Sequence, residues 1–195
     1  MPSYFSKQVY KDVAKLHIQN LDQGFLGQLG VTFLSEMYRA IDRSDDNTLI
    51  VDIIDNQSVG FVTGGRSMGS IYKAMFPRIW VWGVPLGLRL LSPKRLMRVL
   101  DILRYDGDKV DDDVSAELFS IAVAPTARGQ GVAPRLYEGL IAYFRDIGEP
   151  AFRIIVGDAL APAHGFYTKM GAKAVGQIEV HKGEGSVLYR HDIDR

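Results

Sequence analysis

The sequence contains no cysteine among its 195 residues and no excess of either charge, since 23 basic residues balance 23 acidic ones. The first absence excludes a disulfide framework, a zinc–thiolate site and a cysteine nucleophile, and it suits a reducing cytoplasm. The second gives no reason to expect nucleic acid or an anionic membrane as a partner. We therefore expect a cytoplasmic protein whose charge-dependent chemistry is local.

Histidine is also scarce, and its spacing is not that of a metal centre. The chain has 4 histidines, and they are far apart in sequence: His17, His164, His181 and His191. Histidine ligands of a metal typically recur at short, fixed spacings. The sequence therefore predicts no metal site.

Long apolar runs are missing as well. The most apolar region spans residues 71–91, but its longest run without a charged residue is the ten residues 79–88, against about 20 for a helix that crosses a bilayer. The N-terminal residues 1–15 lack the apolar core of a signal peptide, so we expect the fold to start there. The aromatic residues of 71–91 then either pack as additional core, which we favour, or form an apolar lid that meets a bulky or lipid-linked acceptor, a membrane interface or a second subunit in a homodimer.

Apolar periodicity and turn residues divide the chain into helices and strands. Residues 9–21 and 31–41 place apolar side chains near helical spacing, which predicts two amphipathic helices. From residue 66 to about 105, prolines interrupt the pattern and a new helix is predicted to start at Pro93, which indicates a helical insertion. The other predicted elements are hairpin strands Thr48–Ile54 and Ser58–Thr63, strand Ser115–Val123, a helix running through Phe144, strand Ala151–Val156, helix Pro162–Met170 and hairpin Ala172–Tyr189.

The stretch VAPTARGQGVAP, residues 123–134, carries the clearest chemical signal. Pro125 suits the end of a strand, and Pro134 suits the first turn of a helix, where no helical hydrogen bond is lost. Gly129 and Gly131 between them leave the backbone amides of the helix N-terminus bare, and Arg128 adds a positive charge, so the turn is suited to an anion such as a pyrophosphate. The alternative is a tight turn that needs glycine for its backbone angles alone.

Two motifs follow each other along the chain: V-x-P-x-x-R-G-x-G-x-A at residues 123–133 and AHGFYTKMG at residues 163–171. In this order they resemble the signatures of the GNAT superfamily of N-acetyltransferases. The resemblance covers most of the chain except about 66–105. It implies an α/β fold in which residues 1–195 form a single N-acetyltransferase domain: a mixed central sheet with splayed parallel strands, flanking helices and the insertion at 66–105.

The resemblance also implies acetyl-CoA as cosubstrate and assigns residue roles. Backbone groups of Ile121–Val123 pair with the pantetheine arm, an N–H near Val123 polarises the thioester carbonyl, and Tyr167 protonates the departing thiolate. Without the motif, the residue alone favours the alternative, an amphipathic core tyrosine on a short helix. The residues expected at the cofactor are Ile121, Ala122, Val123, Arg128, Gly129, Gln130, Gly131, Val132, Ala133 and Lys169.

Glu117 is the candidate for the base that accepts the amine proton. Glu117 occupies a strand position where several family members carry a glutamate, and its alternative is a solvated carboxylate at the strand end. Leu160 stands where the family often has asparagine, so we assign it no role. The acidic segment 106–113 either attracts a cationic acceptor or is a solvated loop.

The predicted function is transfer of an acetyl group from acetyl-CoA to a primary amine of a small molecule or peptide. Direct transfer is expected because no cysteine is present to form an acetyl-enzyme. The alternatives are a non-catalytic acyl-CoA-binding or regulatory module and a plain nucleotide-binding α/β domain. The identity of the acceptor amine does not follow from the residues.

Overall fold

The structure of the protein, a computed structural model, describes residues 4–21, 25–83, 114–181 and 184–194. Its helices are α1 Lys7–Asn20, α2 Gly30–Asp42, α3 Met68–Met75, α4 Val132–Asp146 and α5 Ala161–Lys169, with 3-10 turns at Phe25–Leu29, Phe76–Arg78 and Pro125–Ala127. Its strands are β1 Asn47–Ile54, β2 Gln57–Gly65, β3 Ala116–Val123, β4 Ala151–Gly157, β5 Lys173–His181 and β6 Glu184–Asp192. The predicted elements within these ranges are confirmed, with ends that differ by a few residues.

The strands form one mixed sheet in the order β1-β2-β3-β4-β6-β5. Every neighbouring pair is antiparallel except β3 and β4, which run parallel. These two strands pair only where Ala116–Leu118 faces Phe152–Ile154, while β3 continues to pair with β2 as far as Val123. The predicted splayed parallel strands are therefore present, and the gap opens at the carboxyl ends of β3 and β4.

Helices cover both faces of the sheet and divide the interior into two apolar clusters. On one face, α1 packs on β2 and β3, and α2 packs on β1 with α3 beside it; on the other, α4 packs on β1, β2 and β3, and α5 lies against β5. Gly60 and Gly64 of β2 allow the close approach of α4, because a Cβ on Gly60 would lie 2.8 Å from Val132 Cγ1 and one on Gly64 would lie 2.9 Å from Leu140 Cδ1. This contact fixes the start of α4 at the end of β3.

The first cluster contains a buried histidine. His17 of α1 is 3% exposed, its Nδ1 lies 2.5 Å from the hydroxyl oxygen of Tyr38 on α2, and its ring stacks on Phe61 of β2. Burial lowers the pKa of His17 to about 4, so the imidazole is neutral at physiological pH. His17 therefore behaves as a packed core residue.

The predicted insertion begins as part of the core. Ile71 and Met75 of α3 are buried in the first cluster, and the Trp82 indole N–H donates to the Met75 carbonyl at 3.1 Å. Trp80, by contrast, is 82% exposed. The helix predicted from Pro93 and the acidic segment 106–113 lie outside the described residues, and no described helix is long and apolar enough to cross a membrane.

Candidate functional site

A cavity of about 770 Å³ occupies the gap between β3 and β4. Its walls are residues 118–123 of β3, Ile155 and Val156 of β4, the turn that leads into α4, and one side of α5. Asn20 and Leu21 at the end of α1 close it from the other face of the sheet. The volume is within the range of ligand pockets, about 300–1,000 Å³.

The glycine turn forms one end of this cavity. β3 ends at Val123, Pro125 opens a 3-10 turn, and Gly131 caps α4 in a left-handed conformation with φ +76° and no side-chain cap. The N–H groups of Val132 and Ala133 in the first helical turn have no helical partner, and both residues line the cavity. The predicted placement of both prolines is confirmed, because Pro134 is the third residue of α4.

The charge of the cavity lining is positive. Arg128 and Lys169 line it, no described carboxylate does, and neither cation forms an ion pair with another described residue. The Arg128 guanidinium donates to Asn20 Oδ1 at 2.9 Å and to the Val123 carbonyl at 3.3 Å, so its charge is held at the mouth of the turn. Together with the positive end of the α4 dipole, these groups give this end of the cavity a positive electrostatic potential.

Tyr167 of α5 lies in the wall of the cavity and is 5% exposed. Its ring is surrounded by aromatic rings, with centroids 5.3 Å from Phe166, 6.0 Å from Tyr137 and 6.2 Å from Tyr189. Burial raises the pKa of Tyr167 well above its usual value, so the hydroxyl keeps its proton. That hydroxyl makes no hydrogen bond within the described part of the chain, which leaves it available to a ligand.

Glu117 is ion-paired and largely buried. It faces Arg153 across the parallel β3–β4 pair, and the Arg153 Nε lies 2.8 Å from its Oε2. Burial raises the pKa of Glu117, and the Arg153 guanidinium opposes part of that rise. With a side chain 18% exposed, Glu117 is not the solvated strand-end carboxylate of the alternative interpretation, which is wrong.

The cavity brings together all the predicted site residues except two. Glu117 directly precedes the first lining residue of β3, and Gln130 turns its side chain onto the Thr126 carbonyl, 3.0 Å away, instead of lining the cavity. The roles assigned to these residues stay predictions.

Sequence reasoning missed the contribution of α1. Asn20 reaches Arg128 across 108 residues of chain, a contact that no local pattern signals. Leu160, which received no role, also lines the cavity, immediately before α5. Among the described residues, no group of three or more histidine, aspartate or glutamate side chains is placed to hold a metal ion.

The model of the Acetyltransferase (GNAT) family matches residues 18–172, most of the chain. The chain belongs to this family. The range includes both motifs, and the predicted resemblance is confirmed. No curated protein sequence matches the chain.

Solved acetyltransferase structures share the fold at low sequence identity. An N-acetyltransferase from Staphylococcus aureus Mu50 is 14% identical with a TM-score of 0.63, and the match covers 100% of this chain and 98% of that one. The ribosomal-protein-S18-alanine N-acetyltransferase from Escherichia coli is 14% identical with a TM-score of 0.59, covering 99% and 93%. A Bacillus anthracis protein assigned as a streptothricin acetyltransferase, in complex with acetyl coenzyme A, is 16% identical with a TM-score of 0.53, covering 80% and 68%.

Proposed function

We propose that the protein transfers the acetyl group of acetyl-CoA to a primary amine by direct attack in a ternary complex. One observation carries the proposal: the gap between β3 and β4 leads directly to the bare amides of the α4 N-terminus beside Arg128. A pantetheine arm fits the free edge of β3 as an added strand, and a pyrophosphate fits the amides. Membership of the acetyltransferase family supports an acetyl group as the group that is transferred.

In the proposed reaction the amine nitrogen attacks the thioester carbonyl carbon. The carbonyl oxygen gains negative charge, which a backbone N–H near Val123 stabilises. The C–S bond then breaks, the sulfur leaves with the bonding electron pair, and Tyr167 supplies the proton that makes the thiol. Tyr167 suits this step because burial keeps its hydroxyl protonated and no described residue occupies it.

The proton lost by the amine passes to Glu117 in this proposal. Burial makes its carboxylate more basic than usual, which favours proton uptake. Because Glu117 lies just outside the cavity lining, the transfer runs through a water molecule. Arg153 stays beside the carboxyl group and stabilises its ionised form before each turnover.

The acceptor is proposed as an amine of a small molecule or peptide and no more narrowly. Proteins with this fold carry names that point to different acceptors, an alanine of a ribosomal protein in one and streptothricin in another. The fold therefore does not select the acceptor. We further propose that residues 1–195 act as one domain and that the reaction takes place in the cytoplasm.

The test measures thiol release from acetyl-CoA against a panel of primary amines. We expect Tyr167→Phe to lower kcat by about 10² to 10⁴, the usual contribution of a general acid, while CoA binds as before. The matched control is Tyr189→Phe. The Tyr189 hydroxyl forms a hydrogen bond with His164, and its ring packs against Tyr167, but Tyr189 does not line the cavity. Unchanged turnover of Tyr167→Phe on every accepted amine would make the acid role wrong.

Ligand binding separates the alternatives. CoA binding without turnover on any amine would favour the non-catalytic module. Thermal protection by ATP or NAD, and none by CoA, would favour a nucleotide-binding domain. A ligand at a hundred times its Kd adds about 2.7 kcal/mol of stability, which a melting curve detects readily.

A further inference from the structure

Arg135 connects the back of the glycine turn to the edge of the sheet. Its Nη1 donates to the Gln130 carbonyl at 3.0 Å. Its Nε and Nη2 donate to one carboxylate oxygen of Asp52 on β1, at 3.1 and 2.7 Å. Neither Arg135 nor Asp52 lines the cavity, so both act on the turn from outside.

The contact with the Gln130 carbonyl decides the direction of the next N–H. The C=O of Gln130 and the N–H of Gly131 belong to one peptide unit, and in a trans peptide they point in opposite directions. Because the carbonyl points outward to Arg135, the Gly131 N–H points the other way, toward the cavity that Gly131 lines. This N–H thereby joins those of Val132 and Ala133.

The turn does not fix this peptide plane by itself. Gly129 and Gly131 both have positive φ, and glycine occupies either side of the φ range at little cost. A Cβ at Gly129 would meet nothing within 4 Å, so packing does not restrain the turn there. The hydrogen bond to the Gln130–Gly131 peptide itself comes from Arg135, while the Gln130 side chain holds its own residue to the Thr126 carbonyl at 3.0 Å.

We propose that Arg135, anchored by Asp52, is a positioning residue that holds the Gly131 N–H toward the pyrophosphate of CoA. The inference rests on the proposed use of acetyl-CoA. The Arg135 side chain is 52% exposed, and ion pairs this exposed contribute little to stability. Its effect is therefore expected on ligand binding more than on folding.

The test compares CoA with pantetheine, which lacks the pyrophosphate, by titration calorimetry. Arg135→Met and Asp52→Ala should each weaken CoA binding about tenfold, the value of one hydrogen bond to a charged group, and leave pantetheine binding unchanged. Arg145→Met is the matched control, because Arg145 lies on the same helix and donates to the Asp194 carbonyl at the far end. It should bind both ligands as the wild type does.

The Asp52 variant separates positioning from simple charge attraction. Removing a negative charge near the turn would tighten CoA binding if charge alone mattered, whereas loss of the anchor weakens it. Tighter binding by Asp52→Ala, equal losses for CoA and pantetheine, or unchanged CoA binding by Arg135→Met would each overturn the inference. A wild-type protein that binds no CoA would instead overturn the proposed function.

An amide signal gives a second measurement that does not depend on overall stability. In ¹⁵N-labelled wild type, CoA should shift the Gly131 amide proton downfield, as expected for a new hydrogen bond to an anion. In Arg135→Met at saturating CoA that shift should be smaller, while the Val132 and Ala133 amides respond as in the wild type. An undiminished Gly131 shift would contradict the inference.

Discussion

Acidification from pH 7 to pH 5 should destabilise the protein by about 2 kcal/mol through His17 alone. The imidazole is 3% exposed, lies against the Tyr38 hydroxyl and stacks on the Phe61 ring. Burial lowers its pKa from 6.5 to about 4. No carboxylate contacts it among the described residues, so nothing there compensates a positive charge on the ring.

The sign follows from which state binds the proton. As the pH falls below 6.5, His17 in the unfolded chain takes up a proton, but in the folded protein it remains neutral until the pH approaches 4. Each pH unit in this window costs about 1.4 kcal/mol of folding free energy. The contribution is fully present above pH 6.5 and is lost as the pH falls; the loss is complete near pH 4.

The assay is urea unfolding at pH 7 and pH 5 for the wild type and for His17→Gln. Glutamine keeps a hydrogen-bonding group near the Tyr38 hydroxyl but does not titrate. The variant should lose about 2 kcal/mol less than the wild type between the two pH values. Burial also lowers the pKa of His191, but both proteins contain His191, so its contribution cancels when their stability losses are compared. Equal losses in the two proteins would refute the buried, neutral state of His17.

Two further predictions concern the sheet beside the cavity. Arg153→Met should raise the pKa of Glu117 further and move the acid limb of the kcat/KM profile up by about one pH unit, whereas an unmoved limb would remove Glu117 as the titrating base. Gly60→Ala should cost about 1–3 kcal/mol in urea unfolding, because the new methyl group would lie 2.8 Å from Val132 Cγ1 and 3.0 Å from Leu136 Cδ1; unchanged stability would show that α4 moves freely on β2.

The elements around the turn could be predicted because their signals are local. Pro125 and Pro134 have few permitted positions in a strand or helix, so each marks a boundary that the structure confirms. The apolar repeat after Gly131 likewise fixes the buried face of α4. Both motifs lie on such elements, and residues of both motifs line the cavity.

The contacts that complete the site could not be predicted, because they join distant parts of the chain. The state of Glu117 depends on Arg153, which only the register of β3 with β4 brings opposite it. The position of the Arg128 guanidinium depends on Asn20, at the end of the first helix. Nothing in the spacing of these residues distinguishes a paired side chain from a solvated one.

The short junction between β3 and β4 makes the sheet mechanically uneven. Three residue pairs join its two halves, and beyond them the central hydrogen-bond ladder is interrupted inside the protein. Side chains also join the halves: Arg153 of β4 pairs with Glu117 of β3, and the Phe144 ring of α4 lies 5.0 Å from Phe152 on β4. A molecule that binds as a strand in the gap would complete the ladder. Its binding would therefore also stabilise the association of the two halves of the sheet.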